Sequence, residues 1–143
     1  MEIRKIKDVN EIVKIFVETF NGEPWNELWT EESAYNKLFE LFNFTNFYGL
    51  VAVENNQPLG ALLGNIRTYD KRKSLYLEEM FVVSNMRRKG IGSRLYLAAK
   101  EELKQMGVSG AFFTTIKNTQ AYHFYLKHGA IDLETGSVMF HVF

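Results

Sequence analysis

Residues 75–94 read Leu-Tyr-Leu-Glu-Glu-Met-Phe-Val-Val-Ser-Asn-Met-Arg-Arg-Lys-Gly-Ile-Gly-Ser-Arg. A β-rich run carrying two adjacent carboxylates, Glu78 and Glu79, passes into a turn with two glycines, Gly90 and Gly92, that opens a helical pattern. Glycines let backbone N–H groups approach a ligand closely, and a helix N-terminus adds unpaired donors and partial positive charge. Arg87, Arg88, Lys89 and Arg94 surround that turn with cationic side chains. Such a combination suits a pyrophosphate. It is not a dinucleotide fingerprint, because the third glycine is missing and two acids fit a buried parallel strand badly. Nor is it a P-loop, because no Gly-Lys-Ser/Thr follows at the required spacing. By themselves the two glycines are equally compatible with an ordinary strand–helix turn bearing a solvated basic face. The three histidines, His123, His128 and His141, show no metal-ligand spacing, and no nucleophile elbow supports a serine triad.

The elements that must position these residues follow from periodicity. Glu2–Lys7 alternates as a short strand, and Asp8 or Asn10 can cap a helix with Ile12, Val13, Phe16, Val17 and Phe20 on one face. A loop rich in aromatics and acids, residues 23–29, precedes a second helix with Thr30 as N-cap and Ser33 where a capping-box Glu would stand. Tyr48–Val53, Leu59–Arg67 and Leu75–Val83 form an antiparallel meander, turning at residues 55–58 and 70–73. Ile91–Met106 is a helix ended by Gly107, Val108–Ile116 a strand, Thr119–His128 a short helix ended by Gly129, and Ser137–Phe143 a closing strand. The order β-α-α-β-β-β-α-β-α-β is a mixed α/β layout.

Composition narrows the classes further. The chain has 143 residues, 17 basic and 17 acidic side chains, two prolines and no cysteine. That length fits one domain, residues 1–143, able to bury about 68–70% of its unfolded surface. Without cysteine there is no disulfide framework, thiolate nucleophile, thiolate zinc site or iron–sulfur cluster. Zero net charge argues against a general nucleic-acid binder. No apolar run approaches the ~20 residues of a membrane span, and the opening residues lack a signal-peptide apolar region. A cytoplasmic globular protein is the expectation.

Arg87-x-x-Gly90-x-Gly92 after Met80-Phe81-Val82 resembles the acetyl-CoA motif of the GNAT superfamily of N-acetyltransferases. Residues 118–130, with Asn118, Ala121, Phe124-Tyr125 and Gly129-Ala130, resemble that family's later motif. The stretch Tyr76–Ser93 is particularly similar to the diamine/polyamine acetyltransferase branch. The resemblance implies a mostly antiparallel twisted sheet of six to seven strands flanked by about four helices. It implies acetyl-CoA as cosubstrate and direct transfer to a primary amine in a ternary complex; from the histidine spacing, no metal is expected. Backbone groups of Met80 and Val82, with Phe81 between them, would meet the acetyl carbonyl and the pantetheine arm. N–H groups of Arg88, Lys89, Gly90, Ile91, Gly92 and Ser93, with Arg87 leading the motif, would hold the pyrophosphate. Asn118 and Tyr125 would lie near the pantetheine and the sulfur.

An alkyl amine has a pKa near ~10, so a base must take a proton at neutral pH. Glu78 stands where the polyamine branch carries its catalytic glutamate and is the expected base. Glu79 should point to the other face if pairing is regular, and a bulge would exchange the two. For both, the simpler reading is a half-exposed strand acid paired with Lys or Arg. Tyr125 is the expected acid, its phenol being a suitable donor to a departing thiolate; outside the motif it would read as a core aromatic.

Residues 11–40 hold seven acids against Lys14 and Lys37. Trp25, Glu27 and Glu79 are the expected acceptor contacts, through charge and cation–π attraction, in a region that borders the acceptor site in this family. The competing reading is solvated helix faces with Trp25 and Trp29 packed beneath the loop. A small-molecule amine is the expected partner, with no nucleic acid and no membrane, and Met139–Phe143 offers a pairing edge for a homodimer. An aminoglycoside or protein N-terminus as acceptor, or a non-catalytic acyl-CoA-binding module, are the alternatives.

Overall fold

Residues Met1–Phe143 are described by a computed structural model. In chain order the elements are β1 (Glu2–Lys5), α1 (Val13–Asn21), α2 (Glu31–Phe42), β2 (Phe47–Glu54), β3 (Gln57–Tyr69), β4 (Arg72–Val82), α3 (Ile91–Gln105), β5 (Gly110–Phe112) and α4 (Gln120–Lys127). Single 3₁₀ turns stand at Val9–Glu11 and Ser84–Met86. The chain divides into two compact units, Met1–Phe112 and Phe113–Phe143.

In the first unit, five strands form one sheet in sequence order, antiparallel except for the parallel β4/β5 pair. Its hairpins use turn chemistry visible in the sequence. Asn55 and Asn56 take φ 51° and 60°, the left-handed geometry a two-residue hairpin loop needs. Asp70, at φ 57°, does the same between β3 and β4. One face of the sheet carries Val51, Ala61, Leu63 and Phe81 into a core with Ile12, Phe16 and Phe20 before and along α1 and Ala34 and Leu38 of α2. The alternate positions, such as Leu50, Leu62, Leu75 and Leu77, are also buried, and α3 lies against β2, β3 and β4 with Leu95, Ala99 and Leu103 buried. The sheet is thus covered on both faces, α1 and α2 on one and α3 on the other.

The helix starts agree with their caps. Thr30 and Ser33 form a reciprocal box, each backbone N–H donating to the other's hydroxyl at 3.0 Å, so Ser33 fills the glutamate's place. Asp8 makes the corresponding box with Glu11, but on the 3₁₀ turn that precedes α1.

The second unit is built around α4. Thr119 accepts the Tyr122 N–H (3.2 Å), the Tyr122 hydroxyl donates to Asp132 (2.8 Å), and Phe113 lies 4.2 Å from Tyr125 ring to ring.

The strand count is five rather than six to seven. The run Val108–Ile116 pairs only over Gly110–Phe112, and Ser137–Phe143 forms no strand. Alternating apolar residues give a strand its face, but a strand exists only where another backbone accepts its ladder. Val138, Met139, Phe140, Val142 and Phe143 all stand exposed instead.

Candidate active site

The site in the first unit begins with a break in register. Leu63 pairs with Glu79, but Gly64 pairs with Leu77, so Glu78 is an extra residue on β4. Such a bulge turns the strand and reverses its side-chain alternation. Gly64 makes it possible. A Cβ there would collide with the Tyr76 carbonyl oxygen, so only glycine fits opposite the bulge. Glu79 therefore shares the face of Phe81, which packs against Phe16 and Phe20 of α1 at 5.7 and 5.5 Å. The regular alternation expected from the sequence would have sent Glu79 to the α3 side.

Both carboxylates reach the α1/α2 face, in different surroundings. Glu78 pairs with Arg67 (3.3 Å), whose guanidinium lies 4.0 Å over the Tyr76 ring. Glu79 pairs with Lys37 of α2 (3.2 Å), and its side chain is 16% exposed against 34% for Glu78. Burial pushes the Glu79 carboxyl above the ordinary carboxylate range. Lys37 pulls it back, while the nearby Glu27 and Glu78 push it further up. Glu79 is thus the carboxyl whose environment favours taking up a proton.

The loop between α1 and α2 borders the same face. Asn21 brackets Trp29 with two 2.8 Å hydrogen bonds, one to the Trp29 carbonyl and one from its N–H. The Trp29 indole donates to Glu27 (3.0 Å), and its ring lies edge-on to Phe16 at 5.1 Å. Trp25 leans on Phe20 at 5.1 Å and lies 5.1 Å beneath the Arg87 guanidinium. Trp29 is packed against the core, whereas Trp25, though it leans on Phe20, remains 40% exposed.

Beyond Tyr76, β4 has lost its neighbour, since β5 pairs only with Ser74–Tyr76. The Val83 N–H donates to the Leu59 carbonyl at 2.9 Å. By antiparallel alternation Phe81 and Glu79 also face β3, while Met80 and Val82 turn their N–H and C=O outward to the open edge. An extended amide-bearing chain can pair there as an added strand. Arg87 already donates its Nε to the Val82 carbonyl (3.2 Å). Phe81 adds no donor to that edge, because its backbone serves β3 and its ring is core.

The edge leads into the basic turn. Arg88 and Gly90 take φ 61° and 80°, and Gly90 caps α3 without a side-chain acceptor. The first helical bond runs from Arg94 N–H to the Gly90 carbonyl, so the N–H groups of Ile91, Gly92 and Ser93 precede the helical ladder. Arg88, Lys89 and Arg94 are exposed around this N-terminus. The open edge and the uncapped helix start fit the polar arm and the pyrophosphate of a coenzyme A thioester.

In the second unit, Asn118 sits at φ 65° in the turn before α4, and Tyr125 lies on that helix against Phe113. The Tyr122 phenol is pushed up by its hydrogen bond to Asp132. No group of three or more His, Asp or Glu side chains is arranged to hold a metal ion.

Three residues went unmarked in the sequence reading of the site: Lys37, Arg67 and Gly64. Gly64 carried a usable signal, since a glycine within a strand marks a bulge or a close backbone approach. Lys37 carried a weaker one, as one of two lysines in an acidic stretch.

Among solved structures, a transcriptional regulator from Bacillus halodurans C-125 superposes with TM-score 0.80 at 21% identity, covering 99% of each chain. An aminoglycoside acetyltransferase from an uncultured soil metagenomic sample gives TM-score 0.75 at 22% identity, covering 99% of this chain and 95% of the other. Glucosamine-6-phosphate N-acetyltransferase from Arabidopsis thaliana gives 0.70 at 18%, covering 99% and 97%. At these identities the likeness speaks for the fold. The acetyltransferase (GNAT) family model matches residues 9–130, through the bulged strand, the open edge, the glycine turn and α4. The chain therefore belongs to the GNAT family and is an acetyl-CoA-dependent N-acetyltransferase.

Proposed function

We propose that the protein acetylates a small cationic primary amine by direct transfer, with Glu79 as general base and Tyr125 as general acid. The observation that carries the base is the bulge at Glu78, which turns Glu79 into a buried position on the acceptor-side face. This reading moves the role expected for Glu78 by one residue. Glu78, held by Arg67, then adds negative charge that favours a cationic acceptor.

Glu79 takes one proton from the acceptor ammonium, and the freed nitrogen lone pair forms a bond to the thioester carbonyl carbon. In this mechanism the Met80 N–H on the open edge donates to the carbonyl oxygen as negative charge develops there. The carbon–sulfur bond breaks and Tyr125 gives its phenol proton to the departing sulfur. The second proton shed by the nitrogen makes good the phenolate. The products are an amide, a thiol and the proton that Glu79 releases to solvent. Tyr125 has this role by its place in the second motif.

Acidic and aromatic side chains at Glu27, Trp25 and Trp29 support a cationic acceptor, whether a diamine or polyamine, as residues 76–93 suggest, or an aminoglycoside, as in the metagenomic relative. A homodimer, in the cytoplasm, remains part of the reading. Thiol release from acetyl-CoA across diamines, polyamines, aminoglycosides, amino sugars and peptide N-termini tests it, alongside calorimetric binding of acetyl-CoA. Turnover confined to peptide N-termini overturns the acceptor class. Binding without turnover on every amine means an acyl-CoA-binding module.

A further inference from the structure

We infer that Lys37 is a positioning residue for the base: it fixes the Glu79 carboxylate in its ionised form and so sets the pH above which the enzyme works. The inference rests on the reading of Glu79 as the base. Its geometry is independent of that reading. The Thr30–Ser33 capping box starts α2, and Ala34, Leu38 and Leu41 anchor the helix to the core. Lys37 is thereby held beside β4, with Nζ 3.2 Å from Glu79 and 6.0 Å from the Trp29 ring centroid. Trp29 is in turn fixed by Asn21 and Glu27.

The charges facing Glu79 come from three segments around it. The α1–α2 loop brings Glu27, β4 brings Glu78 and α2 brings Lys37, while Arg67 of β3 is engaged by Glu78. On that face α1 brings the rings of Phe16 and Phe20, not charge. Lys37 is the direct cationic partner. Without it, burial and two neighbouring carboxylates all press Glu79 toward its neutral form, in which it cannot accept a proton. Lys37 does not itself take the substrate proton, because an ammonium has no lone pair.

The test is the pH dependence of kcat in Lys37→Met and Lys37→Gln, with Lys37→Arg as the conservative variant. The acidic limb of both neutral variants should move up by about one pH unit, with turnover regained at alkaline pH. Lys37→Arg should keep the wild-type limb. Thermal unfolding reports whether each variant is folded, and the half-exposed lysine allows two neutral replacements. A limb that stays in place in both neutral variants, whether kcat drops evenly or not at all, overturns the inference. Glu79→Gln separates the two levels. Full turnover in that variant removes the base assignment and this inference together. An inactive Glu79→Gln with an unmoved limb in the Lys37 variants removes only the inference.

Discussion

The two neighbouring glutamates differ by surroundings, not chemistry. Glu79 is the more buried, with its carboxyl pushed up; Glu78 is more exposed and held by Arg67. Glu79→Gln should lower kcat by about 10²–10⁴, the usual worth of a general base, and Glu78→Gln by far less. Steady-state thiol release at saturating acetyl-CoA measures both, and equal losses would contradict the division of roles. The same environment has a stability consequence. A carboxyl whose pKa is higher folded than unfolded binds protons more readily in the native state. Its ionisation therefore costs stability as pH rises from the ordinary carboxylate range through the folded value. Comparing Tm against pH in wild type and Glu79→Gln should show that loss in wild type and its removal in the variant. Tyr125→Phe should lower kcat more than tenfold with little change in acetyl-CoA affinity, since it removes a proton donor and little contact surface. Unchanged turnover would take Tyr125 out of the mechanism.

At the scale of elements, β4 brings three devices together: a bulge, an open edge and a run into the α3 turn. Gly64 controls the first. Gly64→Ala forces a Cβ against the Tyr76 carbonyl and should cost about 1–3 kcal/mol in denaturant unfolding, with activity lost beyond what the destabilisation explains. Gly90 controls the third. At φ 80° any other residue is strained, so Gly90→Ala should weaken acetyl-CoA binding by shifting the first-turn N–H groups, a change calorimetry reads directly. Much of this was readable from the chain. The glycine turn before Ile91, the Thr30 cap and the Asn55–Asn56 hairpin are local signals, and the structure has all three where they point. The face of Glu79 was not readable, because one unpaired residue reverses every side chain beyond it. Nor was the failure of Ser137–Phe143 to form a strand, since the alternation there describes a face without a partner.

Across the whole molecule, zero net charge averages two opposed regions, an acidic stretch over residues 11–40 and the basic turn at Arg87–Arg94. These suit an anionic cosubstrate in one place and a cationic acceptor in another. Both attractions are screened by salt, so kcat/KM for each substrate should fall as ionic strength rises from 0.01 M toward 0.15 M, where the screening length shrinks from about 30 to about 8 Å. A salt-independent profile would mean that neither charged region steers its substrate.

Local signals along the chain carried the family, the element order from β1 to α4 and the place of the glycine turn. Each depends on residues close together along the chain: a cap and its partner, two glycines and a helix start, alternation within one strand. They also put both glutamates in the strand beside that turn. Which of them is buried was fixed by packing in three dimensions, because that depends on how β3 and β4 pair and on what α2 lays across them. Lys37 and Glu79 stand 42 positions apart in the chain and 3.2 Å apart in space. No local pattern encodes that pairing, whereas packing of the α2 face against the sheet does.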